Sequence, residues 1–284
     1  MARILAISSQ VARGSVGLSV VVPALHALGH EVIALPTVLL SNHPGHPHVA
    51  GFPVAPASLH QMLDALQANG WLAGIEGMLT GYLPSRDHVF FALESLRRVR
   101  KLRGRHGALY VCDPVLGDDP KGLYIDEAAA RAIREYLVGH ADAATPNRFE
   151  LSYLNSALAP VDVRSAADAF NGQLGCPMTI ATSIPSSDPG ETLNVLRSAT
   201  VTALTRVPLR ENAPHGTGDL FSALILSALL DGASPEHALA LATAGVDRVL
   251  ASSSGHDQLN LAALPRRSDS PLSWPIDPGT APDG

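Results

Sequence analysis

Short apolar runs alternate with helix-length stretches through most of this chain, and that alternation restricts its fold more than any other feature. RILAI, EVIALPTVLL, GIEGMLTGY, GALYVCDPVLG, DAATPN and CPMTIATS read as strands, brief and partly β-branched. Between them SVVVPALHALG, SLHQMLDALQAN, HVFFALESLRRVRKL, AAARAIREYLVGH and FELSYLNSAL carry helical spacing; in the second, Leu59, Met62, Leu63 and Leu66 fall on one side. Residues 192–209 read as a hairpin, and a last helix starts with Ser234 as its cap and Pro235 in its first turn. Strands separated by helices pair in parallel, because the chain must cross back before the next strand begins. The expected fold is therefore α/β, a mostly parallel sheet with helices on both faces.

The segment SNHPGHPHVAGFPVAP is too rich in His, Pro and Gly for a regular element and reads as a mobile flap. With no second ligand cluster nearby in sequence, substrate contact by His43, the other histidines being exposed, suits this segment better than metal binding. From Pro265 to Gly284 the chain is rich in Pro, Ser, Asp and Gly, and this tail is expected to lack fixed structure; residues 1–264 form one domain.

Charge and cysteine content narrow the classes of function. Twenty Lys and Arg stand against 26 Asp and Glu, a net charge of -6, which disfavours a general nucleic-acid binder. The one basic stretch, LRRVRKLRGRHG, reads as a solvated helix face. Two distant cysteines, Cys112 and Cys176, make neither a disulfide framework nor a zinc site, and point to a reducing cytoplasm. No apolar run is long enough for a membrane span, and MARILAISSQ does not read as a signal peptide.

In sheets of this kind ligands sit at the carboxyl ends of the strands. Polar residues gather there: Ser8 and Ser9, Tyr82, Asp113, Thr145 to Asn147, Thr182 and Ser183. The segment PHGTGDLF, residues 214–221, precedes the apolar run LFSALILSALL. Gly216 and Gly218 open the backbone to a ligand, and the helix behind them offers unpaired N–H groups to an anion. Asp219 is then a base, or a helix cap. In TPNRFE, Asn147 and Glu150 share a helix face, which suits both a capping box and an Mg²⁺ ligand. Asp113, held extended by Pro114, aims its carboxylate into the crevice, while Asp118 and Asp119 follow in a loop.

Taken in order, LAISSQVARGSVG, ALPTVLLSNHPG, TGY, YVCDPVLGD, KGLYI, TPNRFELSYL, IATS and HGTGDLFSALILSALLDG resemble the vitamin B6 (pyridoxal/pyridoxine) kinases of the ribokinase superfamily, over residues 3 to 250. The resemblance implies a ribokinase-like three-layer sandwich that transfers the γ-phosphate of ATP to the 5′-hydroxymethyl of a B6 vitamer, using Mg²⁺ and a monovalent cation, K⁺ or Na⁺, as a homodimer. It casts Asp219 as the base and Gly216, Thr217 and Gly218 as the anion hole. Ser9 would contact the pyridine ring, with Tyr82, His43 and Gly45 covering it. Asp113, Thr145, Asn147, Glu150, Thr182, Ser183 and Thr217 would line the nucleotide, with Arg206 and Val207 on its adenine side. Asp118, Glu150 and the Tyr124 backbone would organise the metal. A helix N-terminus is expected to hold Asp219 ionised, as a weak base. Two departures stand out: His43-Pro44-Gly45-His46 in the flap, and His215 where relatives carry a lysine-bearing pattern. The neighbouring readings are a hydroxymethylpyrimidine kinase, whose family carries Cys where Asp219 stands, and a catalytically silent B6 or nucleotide binder.

Overall fold

The computed structural model describes residues 1–104, 107–155, 175–210, 213–265 and 273–278. Its elements run β1 (Arg3–Val11), α1 (Leu18–Ala27), β2 (Glu31–Leu40), β3 (Gly51–Pro53), α2 (Pro56–Ala68), β4 (Ile75–Thr80), α3 (Arg86–Arg103), β5 (Leu109–Cys112), β6 (Gly117–Asp118), β7 (Gly122–Leu123), α4 (Glu127–Ala132), β8 (Ala143–Ala144) and α5 (Arg148–Leu154). There follow β9 (Met178–Pro185), β10 (Glu191–Ser198), β11 (Thr202–Pro208), α6 (Thr217–Leu230), α7 (Pro235–Ser252) and β12 (Asp277–Pro278).

Ten strands form one sheet in the order β12-β11-β10-β9-β8-β5-β4-β1-β2-β3, and β6 and β7 make a separate small hairpin. The centre, from β9 through β8, β5, β4 and β1 to β2, is parallel. Antiparallel strands extend both edges. In β1 the side chains alternate between two cores, as the two-residue strand period requires. Leu5 and Ile7 meet Leu59 and Leu63 of α2 and Phe91 and Leu96 of α3 on one face. Ile4 and Ala6 meet Leu18 and Leu25 of α1, Leu220 and Ile225 of α6 and Leu239 of α7 on the other. The result is the expected three layers.

Helix α6 is apolar on almost every side because it is enclosed between the sheet and its neighbours; Leu220, Ala223, Ile225 and Leu226 are fully buried. That burial holds the first turn of α6 rigidly against the strand ends.

Three local expectations give way to tertiary pairing. Strand β1 continues past RILAI to Val11, because Gln10 and Val11 find partners in Leu39 and Leu40 of β2. The flap is not wholly irregular: Gly51–Pro53 pairs with Val38 to Leu40 as edge strand β3, where Pro53 lies next to the sheet's rim. Within the tail, Asp277–Pro278 pairs with β11, and Trp274 Nε1 donates to Arg206 O at 2.9 Å. Residues 266–272 and 279–284 of that tail lie outside the described residues.

Candidate active site

The carboxyl ends of β1, β4, β5, β8 and β9 converge on the N-terminus of α6. Gly216 precedes that helix with φ 100°, and no side chain caps it. The N–H groups of the first turn therefore keep their donors for something else. A Cβ on Gly216 would stand 1.6 Å from Ser15 O, so only glycine lets this turn lie against the β1–α1 loop. The apolar run behind PHGTG had pointed to this helix start; the contact with Ser15 is tertiary.

Asp219 sits in the first turn of α6, partly accessible, and accepts a hydrogen bond from the Gly17 N–H. Burial pushes its carboxyl up to about 6, against the pull of that bond. Desolvation thus outweighs the helix N-terminus, and the expectation of a weak, firmly ionised base is corrected: Asp219 is a stronger base than a surface carboxylate. Gly81, at the end of β4, brings the next loop close: a Cβ there would meet Ser8 Oγ at 2.4 Å and Asp219 Oδ1 at 3.6 Å. Ser8 Oγ in turn accepts from the Tyr82 N–H at 3.0 Å, and Thr37 Oγ1 donates to Tyr82 O at 2.7 Å. A small cavity lined by Ser8, Thr80, Gly81, Asp113 and Asp219 runs beneath this junction.

Asp113 is buried beside Gly218, whose Cβ would lie 4.0 Å from Asp113 Oδ2. Ser222, one turn into α6, places its hydroxyl 2.9 Å from Asp113 Oδ2 and 2.7 Å from Thr145 Oγ1. Burial, then the charges of Glu150 and Asp219, drive Asp113 well above the usual carboxylate range. Ser222 and the Val115 N–H oppose that shift; Val115 takes φ 44°, a left-handed angle rare for a β-branched residue and common near functional sites.

Glu150 is close enough for its charge to raise Asp113. With Asn147 it forms a full capping box: Asn147 Oδ1 accepts from Glu150 N and Glu150 Oε2 from Asn147 N, both at 2.9 Å. Glu150 Oε1 also accepts from Leu116 N at 2.8 Å, and Asn147 Nδ2 donates to Gly117 O at 2.9 Å. Capping and site-building are one arrangement here, since the box ties α5 to the β6–β7 hairpin that carries Asp118. Burial nevertheless raises Glu150 to about 7, with Asp118 adding to the rise. Tyr124 hydrogen-bonds Asp118 through its phenol, which burial and that carboxylate push up to about 12; its N–H donates to Leu116 O at 2.7 Å.

Among the described residues no group of three or more His, Cys, Asp or Glu side chains is arranged to hold a metal ion. The donor chemistry still fits Mg²⁺ carried in with a nucleotide, because such a cation takes oxygens mainly from phosphates and water and needs only one or two carboxylates. The Asp118 charge that adds to the rise at Glu150 is of the kind a divalent cation relieves.

On β9, Thr182 N donates to Pro146 O at 2.9 Å and bridges to Asn147, joining the two loops. Ser183 is exposed with φ 58°, at a bulge where two β9 residues oppose Asn194 of β10. Ser9 lies beneath Gly17, where a Cβ would come within 2.2 Å of Ser9 O. The flap reaches the same region: the His43 and His215 rings stack with centroids 3.8 Å apart. Arg206 and Val207 stand apart from this convergence, on β11. The Arg206 side chain is engaged by Asp277 at 2.9 Å and Glu191 at 3.8 Å, near the sheet's edge.

Sequence reasoning did not single out Ser222, Gly17 or Gly81. No local signal singles out Ser222, since Ser227 is a second serine in the same apolar helix; the two glycines matter only through what they touch.

A family model described as phosphomethylpyrimidine kinase matches residues 32–262. A pyridoxine/pyridoxal/pyridoxamine kinase of Bordetella avium is 37% identical, over 83% of this chain and 80% of its own. The crystal structure of pyridoxal kinase from Entamoeba histolytica superposes with a TM-score of 0.87 at 28% identity, covering 98% of this chain and 99% of that one. Pyridoxal kinase from Leishmania donovani, in complex with ADP and pyridoxamine, gives 0.85 at 30% identity, with 98% and 99% covered.

Proposed function

We infer that this chain, which belongs to the phosphomethylpyrimidine kinase family, is a kinase that phosphorylates pyridoxal, pyridoxine or pyridoxamine with ATP. The observation that carries the chemistry is the uncapped, glycine-cradled start of α6 with a carboxylate of raised pKa in its first turn. In the reaction the 5′-hydroxymethyl oxygen of the vitamer attacks the γ-phosphorus, the bond to the β–γ bridging oxygen breaks, and ADP departs. Asp219 accepts the proton of the attacking hydroxyl. The N–H groups of Gly216, Thr217 and Gly218 face the charge on the transferring group, where fixed donors stabilise it most in a water-poor site. Ser9, Tyr82, His43 and Gly45 hold the pyridine ring, while Asp113, Thr145, Asn147 and Thr182 border the phosphates. Glu150 and Asp118, with the Tyr124 backbone, would hold Mg²⁺, which neutralises phosphate charge when bound. Ser183, Arg206 and Val207 are the outer nucleotide contacts in this reading. A monovalent cation, a homodimer and a cytoplasmic location belong to the same proposal; in its support, both cysteines are free and no helix among the described residues is long and apolar enough to cross a membrane. So does a single kinase domain over residues 1–264.

The test is ATP-dependent turnover of pyridoxal, pyridoxine, pyridoxamine and hydroxymethylpyrimidine measured side by side. The expected outcome is turnover of at least one vitamer. Turnover confined to the pyrimidine would move the substrate to that ring, and vitamer binding without turnover would make the chain a silent binder.

A further inference from the structure

The flap hangs from the β2–β3 hairpin and is folded mostly onto itself. Ser41 N donates to Ala50 O at 2.7 Å and Ala50 N to Ser41 Oγ at 3.0 Å, while Asn42 Nδ2 donates to His43 O at 3.1 Å and to His48 O at 3.0 Å. Its base is tied to the end of β1, where Arg13 N donates to Ser41 O at 2.9 Å. Its tip meets the body through imidazole. The His43 ring lies over the His215 ring at 3.8 Å with 26° between their planes, the separation and near-parallel attitude of a stacked aromatic pair. His215 directly precedes Gly216, so its ring is carried by the backbone that builds the anion hole.

Two further observations hold this pair in register. Gly45 N donates to His43 Nδ1 at 3.1 Å, which fixes the bare nitrogen of that ring and leaves the proton on Nε2. A Cβ on Gly45 would lie 2.9 Å from His43 Nδ1 and 3.3 Å from His215 Nε2, so the Gly45 backbone closes against the edges of both rings. Neutral rings stack where two imidazolium ions would repel. Burial, His215, Lys121 and His46 lower His43 to about 4; burial, Lys121 and His46 lower His215 as well, against Asp118, which raises it.

We propose that His215 is a positioning residue that latches the 41–50 flap over the acceptor site by stacking on His43. The inference rests on the reading of the α6 start as the phosphoryl site. A latch of this kind acts on how tightly the vitamer is held and leaves the chemistry at Asp219 alone.

Kinetics and hydrogen exchange together test it. His215→Ala is expected to raise the vitamer KM roughly two- to tenfold, the range an aromatic stack supplies, with kcat and the ATP KM changed by less than about twofold. His43→Ala, which also removes a ring contact, is expected to raise the same KM at least as far, and the double variant to match His43→Ala, since either change alone opens the latch. Gly45→Ala, which wedges the rings and removes no ionisable group, is expected to act in the same direction, and His215→Phe to recover most of the wild-type KM. Amide exchange over residues 41–50 is expected to speed up in His215→Ala. Multiplying effects in the double variant, or a fall in kcat at constant KM, would overturn the latch, the second by making His215 a contact of the phosphoryl group. Unchanged flap exchange would overturn it whatever the activity. Absence of turnover in the wild type would instead defeat the kinase reading, and the exchange experiment would still decide the latch.

Discussion

Asp219 is held in a place that favours its protonated form, so replacing it with Asn is expected to make the protein more stable and far less active. The carboxyl titrates near 3.8 when solvated and at about 6 in the fold, a difference of about 2 units, or ~3 kcal/mol at 1.36 kcal/mol each. Asp219 is partly accessible, so solvent screening reduces the recoverable gain to ~1–2 kcal/mol. The sign follows from proton linkage. Between pH 3.8 and about 6 the folded protein binds the proton that the unfolded chain has released, so this group's contribution to stability declines across that window and stays low above it. The Asn side chain carries no charge and keeps an oxygen for the Gly17 N–H. Its advantage should therefore be full at pH 8, and only about a third as large at pH 4.5 by the same relation. Thermal melts of both proteins at the two pH values check this: a rise in Tm of ~2–4 °C at pH 8 is expected, shrinking at pH 4.5. In the same preparation kcat should fall about 10²–10⁴-fold, the usual reach of a positioned base, with the ATP KM nearly unchanged. A gain equal at both pH values, or a loss at pH 8, would refute the claim that a buried charge is being relieved. Equal losses in kcat and nucleotide binding would refute the role as base.

Two other substitutions probe the support of the site. Ser222→Ala removes the hydroxyl that lies 2.9 Å from Asp113 Oδ2 and 2.7 Å from Thr145 Oγ1; a loss of ~1–3 kcal/mol is expected in urea unfolding at pH 8, because a buried carboxylate loses its donor. Gly216→Ala drives a Cβ to within 1.6 Å of Ser15 O at a φ of 100°. The loop must shift, at a cost of ~1–3 kcal/mol in backbone strain alone, and steady-state kinetics should show kcat lowered at least about tenfold with a raised ATP KM, as misplaced donors to the phosphoryl group require.

Much of this protein was legible before any coordinates. The alternation of RILAI, EVIALPTVLL and GIEGMLTGY with helical stretches required a parallel sheet covered on both faces, because each run is too short and too apolar to bury itself in another way. Ser234 and Pro235 marked the start of α7, and Ser234 Oγ indeed accepts from His237 N at 3.2 Å. The glycines and acid of HGTGD, set before a long apolar run, marked the start of α6, which opens at Thr217 with no side-chain cap. These features are local: they depend on spacing, on backbone freedom and on unpaired donors at a helix end, all of which travel with the chain.

What the chain could not disclose is everything set by neighbours distant in sequence. Strand β1 outran its apolar run because β2 supplied partners, and part of a Pro-rich tail became a strand because β11 offered an edge. The site differs in the same way. A helix N-terminus alone would keep Asp219 a weak base, but burial raises it against the pull of the Gly17 N–H, since desolvation is a property of the surrounding atoms and not of the segment. Ser222, Gly81 and the pairing of His43 with His215 have no local signature, because each acquires its role from a residue more than 70 positions away. Sequence determined the order of the main strands and helices and where the uncapped start of α6 falls; only the closure of the sheet decided which groups face that helix start, at what protonation, and under what cover.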